Sequence, residues 1–358
     1  MKKGLQRKGV RVGDHVVGLF LGLLMLFVVG CGGDEPVVPS PNEPDPGDTT
    51  SHSYIWHTDT LGGSLSRVND VFCLSENDAW AVGYFYVRDS TGKTIRDSTA
   101  NAAHWDGKEW TLIRINPFFE GKSAFSELYA IFCFDQNDIW VNSRHWDGAH
   151  WQVYNLTPIG RAGGAYKIWG DRTDNVYSVG NNGSIIHWDG QKHTQMGLET
   201  PAWNRDIWGW DGTTYIAVTD PDMQSGQRGY LIRMENGVIT GLEKSVHHEQ
   251  ISVWGMHGTW YSGGCGQLFR NSKDNWIPVL YPDHCITGIR GTALNDVCIF
   301  VGQGEVIHFN GSTFASVLPP DPNGIFTHSV AVIGRMVLAC GQVSPYAVVK
   351  RGYRQPIE

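Results

Sequence analysis

The feature that most constrains this chain is an internal repeat. Aligned on itself, the sequence returns a unit built from Ile-Trp-Gly, an Asn/Asp turn, a second apolar run ending in Gly, and then His-Trp-Asp-Gly-x-x-Trp. The clearest copy runs from Lys167 to His193 (KIWGDRTDNVYSVGNNGSIIHWDGQKH). The first apolar strand of successive copies centres on Val71, Ile131, Ile168, Ile207, Val253, Ile289 and Val332, a period of about 43 residues. Four short antiparallel strands and their turns fill about 40 to 45 residues, the size of one propeller blade. The period therefore predicts an all-β chain forming a single seven-bladed β-propeller of four-stranded blades.

Within each unit the strands are lettered A to D outwards from the axis. The pairs Asp106-Gly107, Asp147-Gly148, Asp189-Gly190, Asn236-Gly237 and Asn310-Gly311 are tight hairpin signals between strands C and D, where a two-residue turn demands positive φ at both positions. The last copy stops after strand C, whereas Tyr54 to Leu61 (YIWHTDTL) matches the strand D pattern of Trp110 to Ile115. The N-terminal strand is thus expected to complete the seventh blade and to remove the open edge that an unclosed array would keep. Blade 2 is the shortest copy, with Asp138 to Gly148 leaving room only for a small hairpin between strands B and C.

The 15 tryptophans and 44 glycines fit this architecture, since both residue types punctuate repeated β structure. Trp169, Trp208 and Trp254 share one repeat position, Trp80, Trp140 and Trp260 a second, and Trp105, Trp146 and Trp188 a third. Trp56, Trp110, Trp151 and Trp276 share a fourth, so only Trp203 and Trp210 fall outside the repeat. The formal charge is -8, and the first thirty residues hold Lys2, Lys3, Arg7, Lys8 and Arg11 against Asp14 alone. The remainder is more acidic still, which excludes a nucleic-acid partner because phosphate neutralisation needs a basic surface.

Residues 1–30 read as a secretory signal: a basic start, then the apolar run Val16 to Gly30, too short for a spanning helix. Val28-Val29-Gly30-Cys31 resembles the lipobox of bacterial lipoproteins, which implies lipidation at Cys31 and a partner in the lipid bilayer through its acyl chains. Residues 31–53 form the lipidated Cys and a Pro- and acid-rich linker, expected to be extended. Asp34 and Glu35 resemble the surface-export signal of some Bacteroidota lipoproteins. The propeller occupies 54–358, and the expected location is the bacterial cell envelope, lipid-anchored at the outer membrane.

The HWDG-x-x-W turn resembles the Asp-box repeats of the BNR-like and YVTN-like propeller superfamily, and in particular bacterial β-propeller lipoproteins with the repeat "IWG…DVWAVG…G-x-I-x-HWDG-x-x-W". The resemblance spans residues 54 to 352. The chain departs from the strict Asp-box, with His104, His145 and His187 standing two residues before the Asp, and it shows no sialidase Phe-Arg-Ile-Pro motif. Such propellers host lectins, hydrolases, lyases and docking platforms alike, so the resemblance implies fold rather than activity.

Function is sought where the repeat breaks. The D-to-A and B-to-C loops emerge on one face and carry the long insertions, among them the blade 1 hairpin at Tyr84 to Ala103. This rim offers Phe118, Phe119, Glu120, Arg161, Trp203, Tyr281, His284 and Phe326, an interleaving of rings and polar groups suited to a sugar or a protein surface. The alternative is that these aromatics only pin long loops to the blades. His247, His248, His284 and His328 lie on neighbouring loops without the spacing of a metal site, so no metal or other cofactor is expected. His104, His145, His187 and His308 recur blade by blade and read as scaffold, as do Asp78, Asp138, Asp174, Asp211 and Asp296 in the A-to-B turns. Cys265 and Cys285 fall on the same face of adjoining units and form the candidate disulfide, while Cys73, Cys133, Cys298 and Cys340 read as small buried hydrophobes.

The expected function is a membrane-tethered, non-catalytic recognition module that binds a glycan or an envelope protein through its loop-rich face. The competing reading is a carbohydrate-active enzyme, a hydrolase or lyase using carboxylates such as Glu120, Glu127 and Asp220.

Overall fold

The computed structural model describes residues 49–156, 165–197, 200–223, 228–243, 246, 248–272, 275–322 and 324–357. Seven four-stranded antiparallel sheets account for almost all of them, with no α-helix among the described residues. Strand A of blades 1 to 7 runs Arg67–Ser75, Ile131–Asp135, Ala165–Arg172, Trp203–Trp210, Gln250–Met256, Ile286–Ala293 and Gly324–Ile333. Each begins on the upper face, where the D-to-A and B-to-C connections lie, and ends on the lower face at the A-to-B turn. In blade 2 the strand pair Asp138–Val141 and Arg144–Trp146 is joined by a tight turn with Asn142 at φ 51°. In blade 1 the corresponding hairpin is long, pairing Asp78–Arg88 with Thr94–Trp105.

The N-terminal strand closes the ring. Tyr54–Leu61 pairs antiparallel with Tyr346–Arg354, the third strand of blade 7, in an unbroken register from Tyr54 opposite Arg354 to Leu61 opposite Ala347. Asp59 secures the join: its carboxylate accepts from Arg351 of the paired strand and, at 3.0 Å, from the Trp110 indole of blade 1. Before the strand, Thr50 and His52 do not extend freely. Thr50 donates to the Asn295 carbonyl at 2.5 Å and His52 meets His308 at 3.0 Å, which binds this end of the linker to the lower edge of blade 6.

Neighbouring blades mesh through the Trp-Gly pair of the repeat. A Cβ on Gly209 would stand 2.2 Å from Cη2 of Trp169, and one on Gly291 would stand 2.9 Å from Cη2 of Trp254. The glycine is therefore the seat on which the preceding blade's indole lies, and any side chain there would separate the blades. Inside a blade, the repeated histidine bonds across from strand C to strand B: His104 to Asp78, His145 to Asp138, His187 to Asn175 and His308 to Asp296, at 2.7 to 2.9 Å.

Two local expectations need correction. Asp106, Asp147, Asp189 and Asn310 do not take positive φ; only the glycines after them do. These connections are four residues long, and the acceptor side chain caps them. The Asp147 carboxylate, for example, receives the backbone N–H of His150 at 2.7 Å, the Gln152 side-chain amide at 2.9 Å and the backbone N–H of Ala149 at 3.0 Å, which together lower its pKa to about 2. Of the five C-to-D pairs, Asn236-Gly237 alone is the two-residue turn with both residues at positive φ. The second correction concerns blade 7, whose strand A centres on Val330 rather than Val332: the register breaks between Ile325 and Ser329, and Val330 is buried against Gly288 of blade 6.

His193 takes the outer-strand place that Trp110 and Trp151 hold in blades 1 and 2. It packs with ring centroids 4.5 Å from Tyr154 and 4.7 Å from Trp188, and burial pulls its pKa down to about 4. The folded state prefers the neutral ring, so its contribution is complete above pH 6.5 and is lost as the pH falls from there towards 4. His193→Phe should reduce the loss of urea-midpoint stability between pH 7 and pH 4.5; an unchanged pH dependence would contradict the assignment.

Candidate functional site

The structural irregularity shared by the blades lies at the start of strand A. Register shifts occur there between Val68 and Asp70, Ala165 and Lys167, Asn204 and Asp206, Gln250 and Ser252, and Ile286 and Gly288. A bulge lets two consecutive residues reach the same side of a strand. Both bulge residues consequently line the axis, and together they form the mouth of a cavity of about 370 Å³ on the upper face. The outer tier of this mouth contains Asn69, Tyr129, Tyr166, Arg205 and Thr287; the inner tier contains Asp70, Lys167, Asp206, Ser252 and Ser329.

The inner tier is a sealed ionic layer. Asp206 holds Arg290 through two hydrogen bonds of 2.7 and 2.9 Å, and accepts from the Ser252 hydroxyl at 2.6 Å. Lys167 reaches across the axis to donate to Asp70 and, at 2.8 Å, to Ser329. Burial alone would raise the Asp206 carboxyl, but the Arg290 charge and hydrogen bonds outweigh it and the pKa falls; Arg290 is raised in turn by Asp206 against its own burial. Asp70 also accepts the backbone N–H groups of Val71 and Ile131. These acids are committed to holding blades 1 to 6 together rather than to chemistry.

The outer tier divides into two halves. On the side of blades 1 and 2, Glu127 pairs with Arg67 at 3.1 Å and accepts from Asn69 at 3.0 Å, and burial, with the Glu127 charge second, raises the Tyr129 phenol. On the side of blades 3 and 4, the Arg205 guanidinium lies 4.5 Å from the Trp203 ring centroid and 5.5 Å from that of Tyr166. Burial lowers the Arg205 pKa, with Tyr166 and Glu249 opposing. Its buried Nε has no hydrogen-bond partner in the structure.

Of the residues expected from sequence, Trp203 stands beside this mouth, stacked against Arg205 without lining the cavity itself. Phe118 and Phe119 form one strand of a two-stranded hairpin with Lys122 and Ser123, and Glu120 turns it at φ 50°. Phe118 is 74% exposed and Tyr281 64% exposed, whereas Phe119 faces a separate cleft with Tyr154 and Leu156. His284 packs beside Gly302 of blade 6. Cys265 and Cys285 are joined by a disulfide on this face. Cys31, Arg161, His247 and the side chains of Phe326 and His328 lie outside the described residues. Glu120, Glu127 and Asp220 are not assembled into one site: the first is exposed on the hairpin turn, the second is paired with Arg67, and the third caps a turn in blade 4 by accepting the Asp222 N–H at 3.0 Å. Among the described residues there is no cluster of His, Cys, Asp and Glu that could hold a metal ion.

Tyr166 and Arg205, bulge residues of blades 3 and 4, and Tyr129, just before strand A of blade 2, are not found by looking to the loops, because they sit inside the repeat. A usable signal existed: two positions before each strand A centre the chain varies through Asn69, Tyr129, Tyr166, Arg205, Ile251 and Thr287, while the centres themselves stay Val or Ile.

No family model matches the sequence, and no curated protein sequence is similar to it. Solved structures do match in fold. A structure of YCF48 bound to a D1 peptide superposes with a TM-score of 0.59 at 15% identity, over 84% of this chain and 97% of that one. The WD40 β-propeller domain of Doa1 gives 0.59 at 12% identity, over 86% and 97%. YCF48 from Cyanidioschyzon merolae gives 0.56 at 12% identity, over 83% and 98%. At these identities the likeness is one of fold, and the chain is a seven-bladed β-propeller.

Removing one partner of a buried ion pair strands the other. Asp206→Ala should therefore lower unfolding stability by about 3 to 5 kcal/mol, whereas Asp174→Ala, which removes the exposed pair with Arg172, should cost less than about 1 kcal/mol. Equal losses in denaturant titrations would show that the axial layer is not a structural keystone.

Proposed function

We propose that this protein is a recognition module, tethered to the envelope through Cys31, that takes an acidic segment of a protein partner into the upper axial mouth. The observation that carries this reading is Arg205. It is a cation flanked by the rings of Tyr166 and Trp203, with a buried Nε that has no partner, at the rim of a cavity whose other charges are already paired. A carboxylate arriving there gains a charge-assisted hydrogen bond in a partly desolvated site, while Tyr129, Tyr166 and Trp203 supply apolar area for its neighbours. That YCF48, a propeller of similar fold, has been captured with a peptide supports a peptide as occupant. Tethering rests on the sequence of the leader and linker, whose last residues are bonded to the lower edge of blade 6, away from the mouth.

Peptide arrays and envelope pull-downs with residues 49–358 should recover acidic segments, and Arg205→Ala should weaken the best of them by about 2 kcal/mol, roughly thirtyfold, with an unchanged melting temperature. Phe118→Ala should leave that binding within about threefold. Selective capture of uronic-acid glycans instead of peptides would move the assignment to a sugar, and binding indifferent to Arg205 would remove it. Separately, Cys31→Ala should abolish lipid labelling and release the protein from the membrane fraction; unchanged fractionation would end the tethering reading.

A further inference from the structure

The lower end of the axis is chemically unlike the upper. Below the ionic layer lies a second cavity of about 510 Å³, lined by Phe72, Phe132, Phe134, Trp169, Trp208 and Trp210, with Leu74 and Ile333 between the rings. Edge-to-face contacts hold several of them: Phe72 on Phe132 at 5.0 Å, Phe132 on Phe134 at 5.1 Å and Trp210 on His257 at 4.8 Å. Arg290, part of the ionic layer, stands 5.0 Å from the Trp208 ring centroid. The chain thus already uses one of these rings as a seat for a cation.

The rim of this cavity is acidic. Asp171 and Asp211 belong to its wall and are exposed, and Glu76, Asp135 and Asp174 occupy the neighbouring A-to-B turns. The basic residues of those turns are engaged, Arg172 with Asp174 at 2.9 Å and Arg335 with Glu76 at 4.0 Å. Aromatic walls below an acidic rim select for positive charge carried on an apolar body: the ring faces attract the cation, the rim carboxylates add long-range attraction, and an anion is repelled. The volume lies in the range of small-molecule sites.

We infer that the lower axial cavity, formed by Phe72, Phe132, Phe134, Trp169, Trp208 and Trp210 under the carboxylates of Asp171 and Asp211, is a binding site for a small organic cation, an ammonium group on a ring-sized apolar body. This site stands apart from the peptide mouth, from which the layer of Asp70, Lys167, Asp206 and Arg290 separates it.

The test uses the full-length chain in non-ionic detergent, titrated with benzyltrimethylammonium and followed by tryptophan fluorescence and calorimetry, with phenylacetate and N-acetylglucosamine as comparison ligands. The expected result is saturable quenching by the ammonium probe alone. The Asp171→Asn, Asp211→Asn double variant, confined to exposed side chains, should weaken it about two- to fivefold. Trp210→Leu, which removes a wall, and Leu74→Trp, which fills the cavity, should each weaken it at least about tenfold. Should Trp210→Leu fail to fold, the other two variants carry the test. Absence of saturable binding, unaltered affinity in Leu74→Trp, or equal binding of N-acetylglucosamine or phenylacetate would overturn the proposal.

Discussion

Everything in this molecule depends on one strand pairing that spans the whole domain in sequence. Until residues 54 to 61 meet residues 347 to 354, strand A of each blade has neighbours but no common axis to face, and both ends of the array expose a bare edge. Contacts across the seam show how firmly it is drawn shut. On the upper face the Leu65 N–H donates to the Pro345 carbonyl and Gln342 to the Ser66 carbonyl; on the lower face the Arg335 N–H donates to Glu76. Only a closed ring brings Lys167 within reach of both Asp70 and Ser329, residues that belong to three different blades.

Closure creates an axis, and the ionic layer then divides it. Propeller strands crowd near the centre, where side chains from seven directions must either interdigitate or pair. In this chain Asp70 meets Lys167 and Asp206 meets Arg290 halfway along, and this leaves two half-channels with opposite character. The upper half is hydroxylic, phenolic and cationic; the lower is aromatic with an acidic rim. Neighbouring strand A positions supply the two halves: Asp70, Lys167, Asp206 and Ser252, just before their strand centres, enter the layer, and Phe72, Phe132, Trp169 and Trp208, just after theirs, lie below, while Arg290 of blade 6 takes the latter position and joins the layer. Period-two geometry is enough to make one end of the axis unlike the other.

The period, the blade size and the closing strand were legible in the sequence because each is a statement about spacing. What escaped was direction and coverage. At Asp106, Asp147, Asp189 and Asn310 it is the side chain that caps the turn and not the backbone preference that shapes it, a distinction that needs the loop length. The seventh strand centre falls at Val330 and not at Val332 because the break between Ile325 and Ser329 shifts the register, which the spacing of the repeat does not locate. Most instructive are the strand A aromatics. Repetition correctly marked Trp169 and Trp208 as parts of the scaffold, and Trp254, their equivalent in blade 5, is 1% exposed. Whether such a ring is covered depends on what stands opposite it across the axis, which is a property of the assembled ring and not of any one repeat.

The closing strand also fixes how the domain meets a mechanical load. It enters from the lower face, and its eight residue pairs run parallel to the direction in which a pull from residue 49 would act. Tension therefore loads the ladder in shear, with all of its hydrogen bonds resisting together, instead of peeling them one at a time from a free end. Before that force reaches Tyr54 it must first draw Thr50 and His52 off blade 6. A chain held by its N-terminus and drawn on by a partner at the opposite face would thus be gripped by the element whose geometry best withstands being pulled.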